Sequence, residues 1–269
     1  MHSIRPAAIA GSFYPLPKQL LESEVNAMLE VARPTAHNVA PKAIIVPHAG
    51  YIYSGPIAAA AYARLADGHK TIRRVVLLGP VHRVPILGLA LPGVDAFETP
   101  LGRVELDQSA IAAITGMPQV SVSSAAHAME HSLEVQLPFL QTVLDDFKLV
   151  PLAVGDATPY EVAAVLDRLW GGSETLIVIS SDLSHFLPYQ VAKSVDRETV
   201  QNILDMHGPL THQQACGGTP INGFMLAAKR HKLQPQLLDL RNSGDTAGDK
   251  NRVVGYAAFA FMEDEKNVH

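Results

Sequence analysis

Along this chain, short uninterrupted apolar runs alternate with longer stretches in which apolar residues recur every three or four positions. Ala43-Ile44-Ile45-Val46, Val75-Val76-Leu77-Leu78 and Leu176-Ile177-Val178-Ile179 contain no polar residue. That is the pattern of a strand buried on both faces of a largely parallel sheet. Further strand candidates span 88–91, 119–122, 148–154, 236–240 and 253–261. Helical periodicity covers 18–31, 56–65, 107–114, 132–144, 159–170, 188–206 and 221–230. The alternation predicts an α/β fold, a three-layer α/β/α sandwich. Some strand candidates follow one another without a helix long enough for a crossover, so the central sheet is expected to be mixed.

Each of the three apolar runs breaks off into a histidine. The first leads into Pro47-His48-Ala49-Gly50-Tyr51, the second into Gly79-Pro80-Val81-His82, and the third into Ser180-Ser181-Asp182-Leu183-Ser184-His185. In open α/β sheets ligands bind beyond the carboxyl ends of the strands. Three imidazoles delivered from three such ends are therefore expected to line one cleft, although each alone could simply hydrogen-bond in a turn.

Composition narrows the picture. At 269 residues and 48% hydrophobic, the chain can bury one large core, and no linker, repeat or low-complexity segment divides it, so a single domain over 1–269 is expected. The net charge of -5 with scattered basic residues gives no footprint for nucleic acid or an anionic membrane. Neither is expected as a partner. A lone cysteine, Cys216, excludes an internal disulfide and fits a reducing compartment. No signal-peptide core is visible, and no apolar stretch reaches the roughly 20 residues of a membrane span. A cytoplasmic protein is expected.

Neutral imidazole is a common ligand for Zn, Fe and Cu, and it also titrates near neutral pH. His48 and His82 each lie in a short proline-bearing turn and form the natural metal-ligand pair. His185 lies further into its loop and suits proton transfer, with Asp182 available to orient it. Two His plus a carboxylate would make the open face of a non-haem Fe(II) site.

Nearly the whole chain is punctuated by an ordered set of segments: Arg5-Pro6, Ala10-Gly11-Ser12-Phe13-Tyr14-Pro15, Pro47-His48-Ala49-Gly50-Tyr51-Ile52-Tyr53-Ser54-Gly55, Leu78-Gly79-Pro80-Val81-His82 and Glu98-Thr99-Pro100-Leu101-Gly102. Glu130-His131-Ser132-Leu133-Glu134, the Ser180–His185 segment, Cys216-Gly217-Gly218 and Val254-Gly255-Tyr256-Ala257-Ala258 continue it. In these segments the chain resembles the MEMO family, protein B of the AmmeMemoRadiSam group, similar in fold to the LigB-type class III extradiol dioxygenases. The resemblance implies a LigB-like fold and a pocket where His48 and His82 hold a metal beside His185, with Glu130 and His131 lining it. In the dioxygenases a carboxylate is the third ligand, and in animal MEMO proteins a Cys takes a comparable place. Here the corresponding loop reads Asn242-Ser243-Gly244-Asp245-Thr246, which makes Asp245 the candidate third ligand or else a plain turn residue.

Other signals compete. His127-Ala128-Met129-Glu130-His131 spells the H-x-x-E-H of inverzincins, which needs one helix across both His and would imply a zinc-dependent hydrolase. Periodicity becomes convincing only from Ser132, so His127 is expected to precede the helix. Ser180, Ser181, Asp182 and His185 hold the residue types of a hydrolase triad, without a G-x-S-x-G elbow. Cys216 before Gly217-Gly218 is a candidate pocket residue, either a helix-terminal thiol of lowered pKa or a small buried residue in a tight turn. Phe13, Tyr14, Tyr51 and Tyr53 could wall a cleft or pack in the core.

The expected function is that of a metal-dependent, dioxygenase-like oxidoreductase on a small organic substrate. The expected cofactor is a divalent metal, Fe(II) first, with Cu or Zn as alternatives. The rival is a non-catalytic binding or scaffold protein that keeps the pocket and takes a small molecule or peptide. The resemblance also implies AMMECR-like and radical SAM proteins as associates.

Overall fold

The computed structural model describes residues 3–35 and 39–263. In chain order the first elements are β1 (Ile4–Arg5), α1 (Lys18–Val31), β2 (Ala43–Val46), α2 (Tyr51–Tyr62), β3 (Arg74–Pro80), β4 (Leu89–Leu91), β5 (Ala96–Thr99) and β6 (Gly102–Glu105). Next come α3 (Gln108–Ile114), β7 (Val120–Val122), α4 (Ser124–Ala128), α5 (His131–Glu134), α6 (Leu137–Val143), β8 (Lys148–Val154) and α7 (Pro159–Leu169). The last are β9 (Thr175–Ser180), β10 (His185–Leu187), α8 (Tyr189–Leu204), α9 (Gly218–Arg230), β11 (Gln234–Asn242) and β12 (Val253–Met262).

The large sheet runs β10-β12-β2-β9-β3-β8-β4-β7, with β11 also paired to β12. It is mixed: β2, β9, β3 and β8 are parallel, while β12 and β4 join antiparallel. Alternate residues of the buried strands feed two cores on opposite faces. Ala43, Ile45, Val76, Leu78, Ile177 and Ile179 pack with α3, α7, α8 and α9. Ile44, Val46, Val75, Leu77, Leu176 and Val178 pack with α1, α2 and α6. This is the expected three-layer α/β/α sandwich, with apolar side chains pointing both ways from each strand.

The register decides where the site lies. Val46 pairs with Ser180, and Leu78 with Ile179, so β2, β9 and β3 end at one edge and release their loops together.

Several boundaries differ from the periodicity. The helix expected at 56–65 starts at Tyr51, because Gly50 ends the strand-to-helix turn and Pro56 lies inside the helix. The helix expected over 132–144 is two, α5 and α6. Gln136 falls between them, its buried amide donating to Pro47 O and Ser180 Oγ, and Pro138 opens α6. A separate small sheet, β1-β5-β6, lies outside the predicted strands. Among the described residues, no helix is long and apolar enough to cross a membrane.

Candidate functional site

His48 follows β2 and His82 follows β3, and a third imidazole joins them from the first residue of α5. His48, His82 and His131 each offer one ring nitrogen, and these nitrogens all lie within 4.8 Å of one another. Ring centroids are 5.1 Å apart for His48 and His82, 5.3 Å for His48 and His131, and 4.5 Å for His82 and His131.

The surroundings fix which nitrogen faces the cluster. Ser180 Oγ donates to Ser132 O at 2.6 Å, so its lone pairs accept, one of them from His48 Nδ1 at 2.9 Å. His48 therefore carries its proton on Nδ1 and presents a bare Nε2. His82 Nδ1 meets Glu130 Oε1 at 2.9 Å, and His131 Nδ1 lies 3.3 Å from the same oxygen. Glu130 also accepts from His82 N at 2.6 Å and Ser132 N at 3.0 Å. Burial would raise the Glu130 carboxyl, but the His82 ring, the Ser132 N–H and the His82 N–H outweigh it and hold it at about 2. It is thus an ionised acceptor that orients His82, as carboxylates do behind metal-bound imidazoles.

Burial, then the neighbouring His131, His82 and His185, push His48 well below its ordinary pKa. Burial and His82 bring His131 to about 4, against the opposing pull of Glu130. Neutral rings are the ligand form of imidazole. The donor set fits a first-row transition metal or zinc.

Cys216 lies beside His48 but outside the group of three. Its Sγ lies 3.2 Å from His48 Nε2. Burial, helped by the Asp182 charge, pushes the thiol up to about 12, the opposite of the lowered value possible for a helix-terminal thiol. The neutral S–H donates to Nε2. Gly217 makes the approach possible, since a Cβ there would lie 2.6 Å from the Ser181 Cβ.

The expected third ligand is displaced. Asp245 sits in the loop between β11 and β12, where its Oδ2 accepts from Asn242 N at 3.0 Å and its Oδ1 from Tyr189 Oη at 2.5 Å. Both oxygens serve the turn and α8, and Asp245 is outside the histidine group.

His185 and Asp182 also differ from expectation. Asp182 Oδ1 accepts from His48 N at 2.7 Å, so this carboxylate shapes the His48 turn. Burial raises its pKa to about 6, against the His48 N–H and the His185 and His82 charges. His185 is oriented by its own turn, Nδ1 donating to Leu183 O at 2.8 Å, which leaves Nε2 as an acceptor.

Phe13 packs its ring 4.8 Å from that of His131, and Tyr53 is part-exposed at the start of α2. Tyr14 and Tyr51 instead turn inward, onto Glu134 and Val135 O. The H-x-x-E-H pattern is split between α4 and α5, and His127 Nε2 donates to Ala90 O at 2.8 Å, so the two His do not form a zincin pair. Ser180 is fully buried with its proton directed to Ser132 O, which removes it as a nucleophile.

Residues 5–260 match the Memo-like protein family. The chain belongs to that family. A MEMO1 family protein of Methanosarcina barkeri is 36% identical, covering 95% of this chain and 98% of its own length. One from Aquifex aeolicus is also 36% identical, over 96% of this chain and 99% of its own. The crystal structure of an uncharacterized protein from Escherichia coli K12 superposes with a TM-score of 0.51 at 14% identity, covering 80% of this chain and 98% of that one. This last likeness speaks for the fold alone. For a Memo-like chain, then, the candidate site is three imidazoles at one sheet edge, with a thiol against one of them and a carboxylate behind the other two.

Proposed function

We propose that this Memo-like protein is a metal-dependent enzyme of dioxygenase-like oxidoreductase type, acting on a small organic substrate at the carboxyl edge of the sheet. The observation that carries the reading is the set of three imidazole nitrogens within 4.8 Å of one another, with His48 and His82 anchored through Nδ1.

His48 Nε2 and His82 Nε2 would hold the ion, with His131 or the Cys216 sulfur completing the set. A bound metal would supply Lewis acidity or redox chemistry at that point. The two-His-one-carboxylate face is not what the residues provide, since Glu130 is held by the His82 N–H, the His82 ring and the Ser132 N–H, and Asp245 by its turn. Iron remains compatible with imidazole-rich ligation, and the nearby thiol also suits copper or zinc. His185, with Nδ1–H fixed by Leu183 O, would accept a substrate proton at Nε2. Asp182 would keep the His48 turn in place.

The deciding experiment is metal analysis of protein purified without oxygen, for the wild type and for His48→Ala, His82→Ala and His185→Ala. The expected outcome is close to one ion per chain in the wild type and His185→Ala, and loss in the other two. Equal metal content across all four sinks the reading.

A further inference from the structure

Arg5 lies on β1, far in sequence from the histidines, and is 5% exposed. Its Nε donates to His127 O at 2.7 Å and its Nη2 to Glu130 O at 2.8 Å. Its Nη1 meets Glu134 Oε2 at 2.5 Å. The two carbonyls flank the break between α4 and α5, which falls at Met129 and Glu130. At that break the chain must turn so that Glu130 reaches back to His82 and α5 begins at His131. His127 O accepts at that break from Glu130 N at 3.3 Å, and the guanidinium fork adds charged donors to it and to Glu130 O, tying the end of α4 to the residue that caps α5.

Glu134 carries the same arrangement to the other flank. Its buried carboxylate accepts from Ala8 N at 2.8 Å, Ile9 N at 3.1 Å and Tyr14 Oη at 2.6 Å. That fixes the turn on which Phe13 sits. The Phe13 ring then packs against His131, and Phe13 O accepts from Tyr51 N at 2.8 Å, three residues after His48. One ion pair therefore sets the backbone before His131 and the ring that covers it.

We propose that Arg5 is a positioning residue for the histidine cluster, holding Glu130 and His131 in register with His48 and His82 through the His127 and Glu130 carbonyls. Its consequence for metal affinity rests on the metal-site reading above; its consequence for the imidazoles does not. A lysine could keep the charge opposite Glu134, but a single ammonium on a flexible stem lacks the planar fork that spans two carbonyls and a carboxylate.

The test uses the full chain with Arg5→Lys and Arg5→Ala, folding being checked by circular dichroism. Nitrogen NMR of the metal-free imidazoles reports the His82 and His131 tautomers, and Co(II) titration reports affinity and ligand-field spectrum. In the wild type His82 is protonated on Nδ1. In both variants this preference weakens, Co(II) affinity falls about 10–100-fold and the ligand-field spectrum changes. Added guanidinium ion restores Arg5→Ala, whereas an alkylammonium ion does not. A folded Arg5→Lys chain with wild-type imidazole resonances and a wild-type Co(II) spectrum overturns the proposal. If the wild type takes up no Co(II), the metal-site reading fails, and the imidazole resonances still decide the role of Arg5. Should Arg5→Ala fail to fold, Arg5→Lys carries the same decision.

Discussion

Cys216 Sγ stands 3.2 Å from His48 Nε2, the nitrogen that Ser180 leaves without a proton. A thiol held near pKa 12 by burial and Asp182 donates its S–H to that lone pair. An ion held at Nε2 would displace this hydrogen bond, and Cys216, as thiolate, would be the neighbouring residue able to add a sulfur donor.

The first prediction follows from that contact. The Co(II) form of the wild type should show a near-ultraviolet sulfur-to-metal charge-transfer band, and Cys216→Ser should lose the band with at least about a tenfold loss of affinity. Absence of the band in a wild type that does bind Co(II) would leave the thiol as a hydrogen-bond partner only.

Glu130 tests the second layer. Glu130→Gln keeps the shape but puts an NH₂ where the carboxylate accepts from His82 N, His82 Nδ1 and Ser132 N. At least one buried donor is then unpaired, at about 1–3 kcal/mol. Metal affinity should also fall about 10–100-fold, because His82 loses its orienting anion. Thermal unfolding and Co(II) titration read the two effects separately, and an unchanged affinity would refute the orienting role.

The strands were legible because the middle of a strand buried on both faces must be apolar, and β2 and the central residues of β3, β8 and β9 satisfy that in sequence. Their parallel register placed His48 and His82 together for the same reason. What escaped was what tertiary contact decides. β1, β5 and β6 are two to four residues long, too short to show a period. Cys216 is marked as a pocket residue by the resemblance alone, because it lies far from any strand end in sequence; its contact with His48 depends on the Cys216 N–H donating to Asp182 O and on the close Gly217–Ser181 packing. Asp245 had the chemistry of a ligand, yet loop composition cannot say where a loop folds, and its oxygens went to Asn242 and Tyr189. The H-x-x-E-H pattern did mark His131, but for the wrong partner.

Lys42 gives a test of stability at the opposite end of β2 from His48. Its ammonium donates to Trp170 O at 2.7 Å, Gly172 O at 2.7 Å and Thr175 O at 2.8 Å, joining the chain after α7 to the start of β2. Lys42→Met keeps the stem and orphans these carbonyls. Denaturant unfolding should show a loss of about 2 kcal/mol or more. Metal content should stay at the wild-type level, and a parallel loss of metal would show that this end of the strand is coupled to the site.

Asp107 links stability to pH. It caps α3, Oδ1 accepting from Ala110 N at 3.0 Å and Ser109 Oγ at 2.5 Å, while Oδ2 accepts from Arg74 Nε at 2.7 Å. Burial would raise its pKa, but the Ser109, Ala110 and Arg74 donors prevail and lower it from 3.8 to about 2. A carboxyl whose folded pKa lies below its unfolded value stabilises the fold above the unfolded pKa, and loses that contribution as pH falls through the folded one. The shift corresponds to about 1–2 kcal/mol once the part-exposure of Arg74 is allowed for. Asn is an equally good helix cap, so Asp107→Asn isolates the charge. Urea unfolding at pH 6 should find the variant less stable by about that amount, and the gap should close between pH 4 and pH 2. A gap that stays constant over this range would mean that the carboxylate's charge contributes nothing, and that the cap acts by hydrogen bonding alone.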